Sequence, residues 1–227
     1  VRTVVLVPYR GDNSHRDRAW RFVLPKIEEL GFPVYVGDDG TQPFSVSRSW
    51  NQAAAMAGKW DLAILHAPDV FLLEPETLHR ALPLADDRMV YAFDSYIRLT
   101  KEGTERAYAG ATSWPEHQIA HRKGKPKGEM PPTGGPRVVP RGLWDKVGGF
   151  DPRFVGWGAE DTAFAHCCSV LGRPHIRLQG TLVSLFHPRA KDDPFRANRQ
   201  KNKELYWETR DIKDPEQLRA YIAARNG

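Results

Sequence analysis

Glu160 and Asp161 are the residues of this chain whose type and spacing most suit chemistry. They close the run from Val147 to Asp161, which is rich in glycine and large rings. Glycine allows close backbone approach and φ > 0. Trp157, between Gly156 and Gly158, can therefore lie as an exposed platform. An apolar-rich run, Thr162 to Leu171, follows and places both carboxylates at a helix start, where the dipole stabilises negative charge. A carboxylate pair beside an aromatic platform suits a sugar. The ring stacks on the pyranose face, one carboxylate grips hydroxyls, and the other takes a proton. A capped helix after a glycine turn, with a packed tryptophan, is the plain structural reading of the same residues.

Other polar groups offer weaker chemistry singly. Asp38-Asp39-Gly40 could accept hydrogen bonds from a nucleobase or ribose, or form a simple turn. Asp69 could ligate a divalent ion, since hard cations that carry phosphates prefer carboxylate oxygens and keep waters. His187 could add an imidazole ligand, which suits manganese, although a histidine before proline is often structural. His66 lies three residues before Asp69 and could equally face the core. Arg10, Arg48 and Arg189 are candidates for phosphate contacts, and each alone reads as a solvated charge.

The elements that must position these groups alternate. Strands are expected at Thr3 to Val7, Pro33 to Val36, Asp61 to Leu65 and Arg88 to Phe93, with an apolar run, Val70 to Leu73, after His66 to Asp69. Helices are expected from Asn13 or Ser14 to about Leu30, from a Ser47 cap to about Gly58, and over Glu74 to Leu84. Alternation of this kind predicts an α/β fold with a mostly parallel central sheet flanked by helices. Ligands bind such sheets at the carboxyl ends of the strands. Pro8-Tyr9-Arg10, Asp38-Asp39-Gly40 and His66 to Asp69 sit at those ends.

The pattern changes after Phe93. Residues 121–136, rich in Gly, Pro and Lys, read as a mobile surface loop. Arg137 to Val139 reads as a strand, Arg141 to Val147 as a short helix, and Pro174 to Leu178 and Thr181 to Phe186 as late strands. Residues 189–203 are basic and poorly periodic, and Pro215 to Ala224 is a terminal helix. The reading is one domain over 1–227, with a nucleotide half at about 1–93 and an acceptor and catalytic half at about 94–227.

Composition bounds the function classes. The chain has 227 residues, 41% of them hydrophobic, enough for a sizeable core. No run of eighteen apolar residues predicts a membrane span. The net charge of +5 is moderate and suits the diphosphate of a nucleotide as well as a polyanion. No helix-turn-helix, zinc or RNA-binding signature supports a nucleic-acid partner. Cys167 and Cys168 are adjacent, which suits neither a metal site nor a disulfide framework. They read as reduced core residues of a cytoplasmic protein, and Val1 to Pro8 lacks the pattern of a signal peptide.

Taken in order, these motifs resemble the β-1,4-galactosyltransferases. Val7-Pro8-Tyr9-Arg10, with His15 following, resembles the family's opening strand and loop. Phe44 and Asn51 match its Phe and Asn at the same separation. Thr133-Gly134-Gly135 through Gly149-Phe150 resembles its Gly-Gly segment, and Gly156-Trp157-Gly158-Ala159-Glu160-Asp161 its Trp-Gly-Gly-Glu-Asp motif. His187-Pro188-Arg189 resembles its His-Ser-Arg segment. The match is patchy between residues 75 and 130. Parts are shared with the galactosyltransferase-like domains of polypeptide N-acetylgalactosaminyltransferases and of chondroitin-type polymerases.

The resemblance implies a GT-A fold and transfer of a sugar, from a UDP-sugar, to an acceptor hydroxyl on a glycan, protein or small molecule. It implies donor contacts from Pro8, Tyr9, Arg10, Asp38, Asp39, Arg48, Asn51, Asp69, Gly135 and Trp157. Asp69 and His187 would hold a divalent cation, manganese or else magnesium. Trp157, Gly158 and Glu160 would bind the acceptor, and Asp161 would be the base of an inverting reaction. A retaining transfer to a protein acceptor, and a carbohydrate-binding protein on a degenerate transferase fold, are the alternatives. Three departures stand out. The first Asp of the family's Asp-x-Asp is Ala67, its methionine metal ligand falls at Ser184, and its Gly before Glu-Asp is Ala159, which reads as a small change. The family is commonly secreted or lumenal with disulfides, so a bacterial or phage relative is the expectation here.

Overall fold

The computed structural model describes residues 1–12, 14–124, 131–156, 158–188 and 198–226. Its centre is β1 (Thr3–Pro8), buried at all six positions. That strand is flanked in parallel by β2 (Val34–Gly37) and β3 (Leu62–Leu65). A strand covered on both edges and both faces reads as one apolar run, and Thr-Val-Val-Leu-Val-Pro is such a run. The crossovers are α1 (His15–Glu28) and α2 (Val46–Ala57). α2 packs directly on β2 because Gly37 lacks a side chain: a Cβ there would stand 1.9 Å from the Ser49 carbonyl oxygen.

Beyond β3 the sheet turns mixed. β8 (Arg137–Pro140) runs antiparallel between β3 and β5 (Val90–Tyr91), and β5 pairs in parallel with β9 (Ile176–Arg177). The order is β2-β1-β3-β8-β5-β9, so three of the five pairings are parallel. β8, from the second half of the sequence, thus pairs with β3 of the first half.

A second sheet, in the order β4-β10-β6-β7, consists of β4 (Val70–Leu72), β6 (Ser95–Leu99), β7 (Ile119–Gly124) and β10 (Thr181–Ser184). Helices α3 (Glu76–Ala81), α4 (Lys101–Tyr108), α5 (Arg141–Val147), α6 (Glu160–Leu171), α7 (Arg199–Arg210) and α8 (Pro215–Asn226) complete the described elements. One hydrophobic cluster joins Val5 and Ile64 of the first sheet to Phe71 and Val183 of the second.

Several expectations need correction. α2 is capped by Ser45, whose side chain accepts from the Arg48 N–H; Ser47 lies inside the helix. Residues 121–124 are not loop but the end of β7, an edge strand on β6. Charged side chains suit an unpaired edge, which disguises such a strand as loop. β6 and α4 were not anticipated. α7 begins within the stretch read as aperiodic. Its buried positions are Asn202, Leu205 and Thr209, a helical spacing with a single apolar member. The expected strand over 88–93 shortens to Val90–Tyr91, and Glu74 to Leu84 becomes α3 followed by a 3₁₀ turn.

Candidate active site

The carboxyl ends of β1 and β3 open on a cavity of about 210 Å³. It is lined on one side by Pro8, Tyr9, Arg10 and Arg16, and on another by Ala67, Pro68, Asp69 and His187. Gly135, Arg137, Gly156, Glu160 and Asp161 close it, with Phe44, Val46 and Trp50 beneath. A larger cavity of about 600 Å³ lies at the amino ends of β6 and β10, among Glu74, Asp94, Ser95 and Thr181, away from these groups.

On the β1 side, Tyr9 stacks on Trp20 at 5.0 Å and donates to Asp17 at 2.6 Å. Burial, then that hydrogen bond, raises the Tyr9 phenol well above its ordinary range. Arg10 donates to Asp38, to Asp39 at 3.1 Å and to the Thr41 carbonyl at 2.5 Å, and its guanidinium lies over Phe44 at 5.0 Å. The Arg10 hydrogen bond holds the Asp38 carboxyl below the usual carboxylate range. The Asp39 side chain is 4% exposed and also receives Arg48 Nε at 3.0 Å. Asp38, Asp39 and Arg48 thus set the Arg10 guanidinium rather than line the cavity themselves. Asn51 does different work: it donates to the Phe150 carbonyl at 2.8 Å and accepts from the Phe150 N–H at 2.9 Å. Its amide ties α2 to the glycine-rich run and does not line the cavity.

Asp69 and His187 come together through strand register. Ser184 pairs with Val70, and the Leu185 N–H donates to the Asp69 carbonyl at 3.0 Å. Asp69 Oδ2 and His187 Nε2 are then 3.5 Å apart, both partly exposed to the cavity. Such a carboxylate–imidazole pair has the donor chemistry of two ligands to a divalent cation. Among the described residues no group of three or more His, Cys, Asp or Glu side chains is gathered to hold an ion. Ser184 is buried within β10. His66 is a core residue: its Nδ1 donates to the Ala67 carbonyl at 2.8 Å, and burial lowers its pKa to about 4, so it is neutral at pH 7.

The opposite side starts at α6, with Glu160 and Asp161 as its first two residues. Ala159, just before them, has φ +72° and is the only non-glycine residue at positive φ among those described. That position is not indifferent to side chain: the left-handed conformation costs an L-residue about 1 kcal/mol or more. Glu160 is buried, and its Oε2 accepts from the Gly158 N–H at 2.8 Å. Burial first, then the neighbouring Asp161 charge, pushes the Glu160 carboxyl up to about 8. Burial thus favours the protonated form of Glu160, which can donate a hydrogen bond as well as accept one. Asp161 Oδ1 receives Arg137 Nη2 at 2.5 Å.

Arg137 went unrecognised as a site residue because it opens an apolar strand and looks like strand edge. Its side chain is 1% exposed and lies near Trp50 and Phe150 at 5.8 and 5.7 Å. Trp157, Arg189, Asn13 and residues 125–130 of the expected loop lie outside the described residues.

No family model and no curated protein matches the sequence. Solved structures do. A Drosophila β1,4-galactosyltransferase 7 variant in complex with manganese, UDP-Gal and xylobiose aligns with a TM-score of 0.57 at 14% identity, over 95% of this chain and 84% of that one. Glucosyl-3-phosphoglycerate synthase from Mycobacterium tuberculosis, with Mn2+, UDP and phosphoglyceric acid, aligns with a TM-score of 0.51 at 14% identity, over 94% and 80%. GalNAc-T7 with UDP, GalNAc and Mn2+ aligns at 0.50 and 13% identity, over 99% of this chain and 55% of that one. At such identities the likeness is one of architecture, and the architecture this chain shares with them is the GT-A fold.

Proposed function

We propose that this protein is a glycosyltransferase that moves a sugar from a UDP-sugar to an acceptor hydroxyl with inversion. The observation that carries the reading is the single cavity onto which both the Asp69–His187 pair and the Glu160–Asp161 pair open. Pro8, Tyr9 and Arg10 serve the nucleotide on one side, and Glu160 and Asp161 serve the acceptor on the other. The fold neighbours crystallised with manganese and uridine nucleotides support the choice of donor. One domain, with its two halves interleaved through β8, would perform the whole reaction.

Asp69 and His187 would hold the divalent cation, manganese in the first instance and magnesium as the alternative. When bound, the ion supplies charge neutralisation to the departing diphosphate. Arg10 adds positive charge to the same side. Asp161 takes the proton of the acceptor hydroxyl as that oxygen bonds to the anomeric carbon. The bond from carbon to diphosphate oxygen breaks, and its electron pair leaves with UDP. Protonated Glu160 donates a hydrogen bond to the acceptor and holds its orientation. Among the described residues no helix is long and apolar enough to cross a membrane. Two buried free cysteines suit a reducing cytoplasm.

The Arg137–Asp161 pair favours a second reading, in which Asp161 is a fixed structural charge and the transfer retains configuration. Product stereochemistry separates the two. Incubation with a UDP-sugar panel, manganese and simple glycoside acceptors should yield a product whose anomeric configuration, read by NMR coupling, is inverted, with activity lost in EDTA. A retained configuration removes the base role. No binding and no hydrolysis of any nucleotide sugar removes the transferase.

A further inference from the structure

Arg137 is a buried cation that the transfer chemistry above does not use. It sits at the first position of β8, 1% exposed, with aromatic rings of Trp50 and Phe150 near it. Nη1 donates to the Gly135 carbonyl at 3.0 Å and Nη2 to Asp161 Oδ1 at 2.5 Å, while Nε is buried with no partner. Burying a guanidinium is unfavourable unless a carboxylate compensates it, and Asp161 is its one ion-pair partner among the described residues. The other Asp161 oxygen lies over Gly134, where an added Cβ would stand 2.7 Å from Oδ2. That Cβ would meet no other group more closely than Asp161, and Gly134 does not occupy a positive-φ conformation.

We propose that Arg137 is a positioning residue that holds Asp161 by Oδ1, while side-chain-less Gly134 keeps Oδ2 open to the acceptor hydroxyl. The inference rests on the inverting transferase reading. One run, Gly134-Gly135-Pro136-Arg137, then supplies both the grip on the carboxylate and the space beside it. Loss of either should misplace the reacting oxygen without touching the donor contacts of Arg10 or Asp69.

Steady-state kinetics on R137M, R137K, G134A, D161N and the R137M/D161N double variant test it. R137M should lower kcat roughly tenfold to a hundredfold, the scale of a misplaced reacting group. Its KM for the UDP-sugar should stay within about twofold, since no lost contact is uniform to ground and transition states. R137K should recover part of the loss. In the D161N background R137M should add nothing, because a residue acting through Asp161 has no route left. G134A should reproduce the kcat loss with unchanged donor KM. Independent, multiplying losses of R137M and D161N, or near-normal kcat in R137M, overturns the proposal. If R137M does not fold, G134A decides alone: unchanged kcat overturns it. A wild-type protein that transfers no sugar, or transfers with retention, fails the transferase reading instead.

Discussion

The two sides of the cavity solve the problem of charge differently. On the nucleotide side Arg10 and Arg48 face Asp38 and Asp39, two guanidinium groups for two carboxylates. Three of those four side chains reach solvent, at 19% for Arg10, 35% for Arg48 and 45% for Asp38. On the acceptor side one guanidinium, Arg137, faces two carboxylates, and both Arg137 and Glu160 are buried. In the charge-matched network, the Arg10 hydrogen bond favours the ionised form of Asp38. In the mismatched, dry group, burial and then the neighbouring Asp161 charge favour the protonated form of Glu160. Under the proposed transfer, the first side would hold a fixed charge and the second a protonated hydrogen-bond donor, Glu160, beside the base.

The largest expected effect breaks the acceptor side at its reacting group. Asp161→Asn is nearly isosteric and keeps a hydrogen-bond acceptor for Arg137. It should lower kcat by roughly a hundredfold or more, as loss of a general base does. UDP-sugar binding, measured by calorimetry, should be unchanged. Near-normal turnover would place Asp161 with the fixed charges and erase the contrast between the two sides.

Next comes the metal pair. Asp69→Ala or His187→Ala should weaken UDP binding by about tenfold or more in manganese, the scale of one lost charge-assisted contact. In EDTA the same variants should bind UDP as the wild type does. Equal losses with and without manganese would make Asp69 and His187 ordinary polar contacts.

The proton on Glu160 gives a stability test. A carboxyl raised to about 8 in the folded state binds its proton more tightly there than in the unfolded chain, where Glu titrates near 4.3. Between those values the folded state carries more protons, so stability falls as pH rises and levels off above the upper value. Glu160→Gln removes that slope. The difference between wild type and E160Q, from urea melts at successive pH values, should drift in favour of the variant from about pH 5 to 8. One proton limits the drift to about 1.4 kcal/mol per pH unit. A difference that stays flat would mean Glu160 is ionised, and the acceptor side carries unbalanced charge after all.

Legibility in the sequence followed the same divide. β1 and β3 were readable because parallel strands buried on both faces are uninterrupted apolar runs, and the short apolar run of β2, half-buried at the sheet edge, stood out between turn residues, so the loops at their carboxyl ends could be located. Glu160 and Asp161 were placed at the start of α6 from their position before an apolar stretch. β6, β7 and α7 were not, because each carries polar side chains at partly exposed positions and shows no clean period. Arg137 was missed for the opposite reason: a single charge before Val138 and Val139 looks like the margin of a strand, and only the fold shows it is 1% exposed. Asn51 drew attention through its spacing from Phe44, yet its hydrogen bonds serve the Phe150 backbone. Spacing finds the residue; the partner that consumes its donors and acceptors is a tertiary fact.

The smallest effect concerns the residue that aims the acceptor side. Ala159 holds φ +72° directly before Glu160, so the chain enters α6 through a conformation that alanine disfavours. The Ala163 N–H donates to the Ala159 carbonyl at 2.8 Å, which fixes that entry as the first turn of the helix. Ala159→Gly relieves the left-handed strain, worth about 1 kcal/mol or more, but adds conformational freedom to the unfolded chain worth about 0.4–1 kcal/mol. The net expectation is a stabilisation of no more than about 1 kcal/mol, read as a small rise in the urea midpoint at constant slope. The nucleotide side offers the control. Among the described residues no non-glycine there sits at positive φ, and its Gly40 already does, at +69°, with open space around it. Gly40→Ala should therefore destabilise where Ala159→Gly stabilises. If both substitutions destabilise, the α6 entry is held by contacts rather than strained, and the geometry of Glu160 owes nothing to the missing glycine.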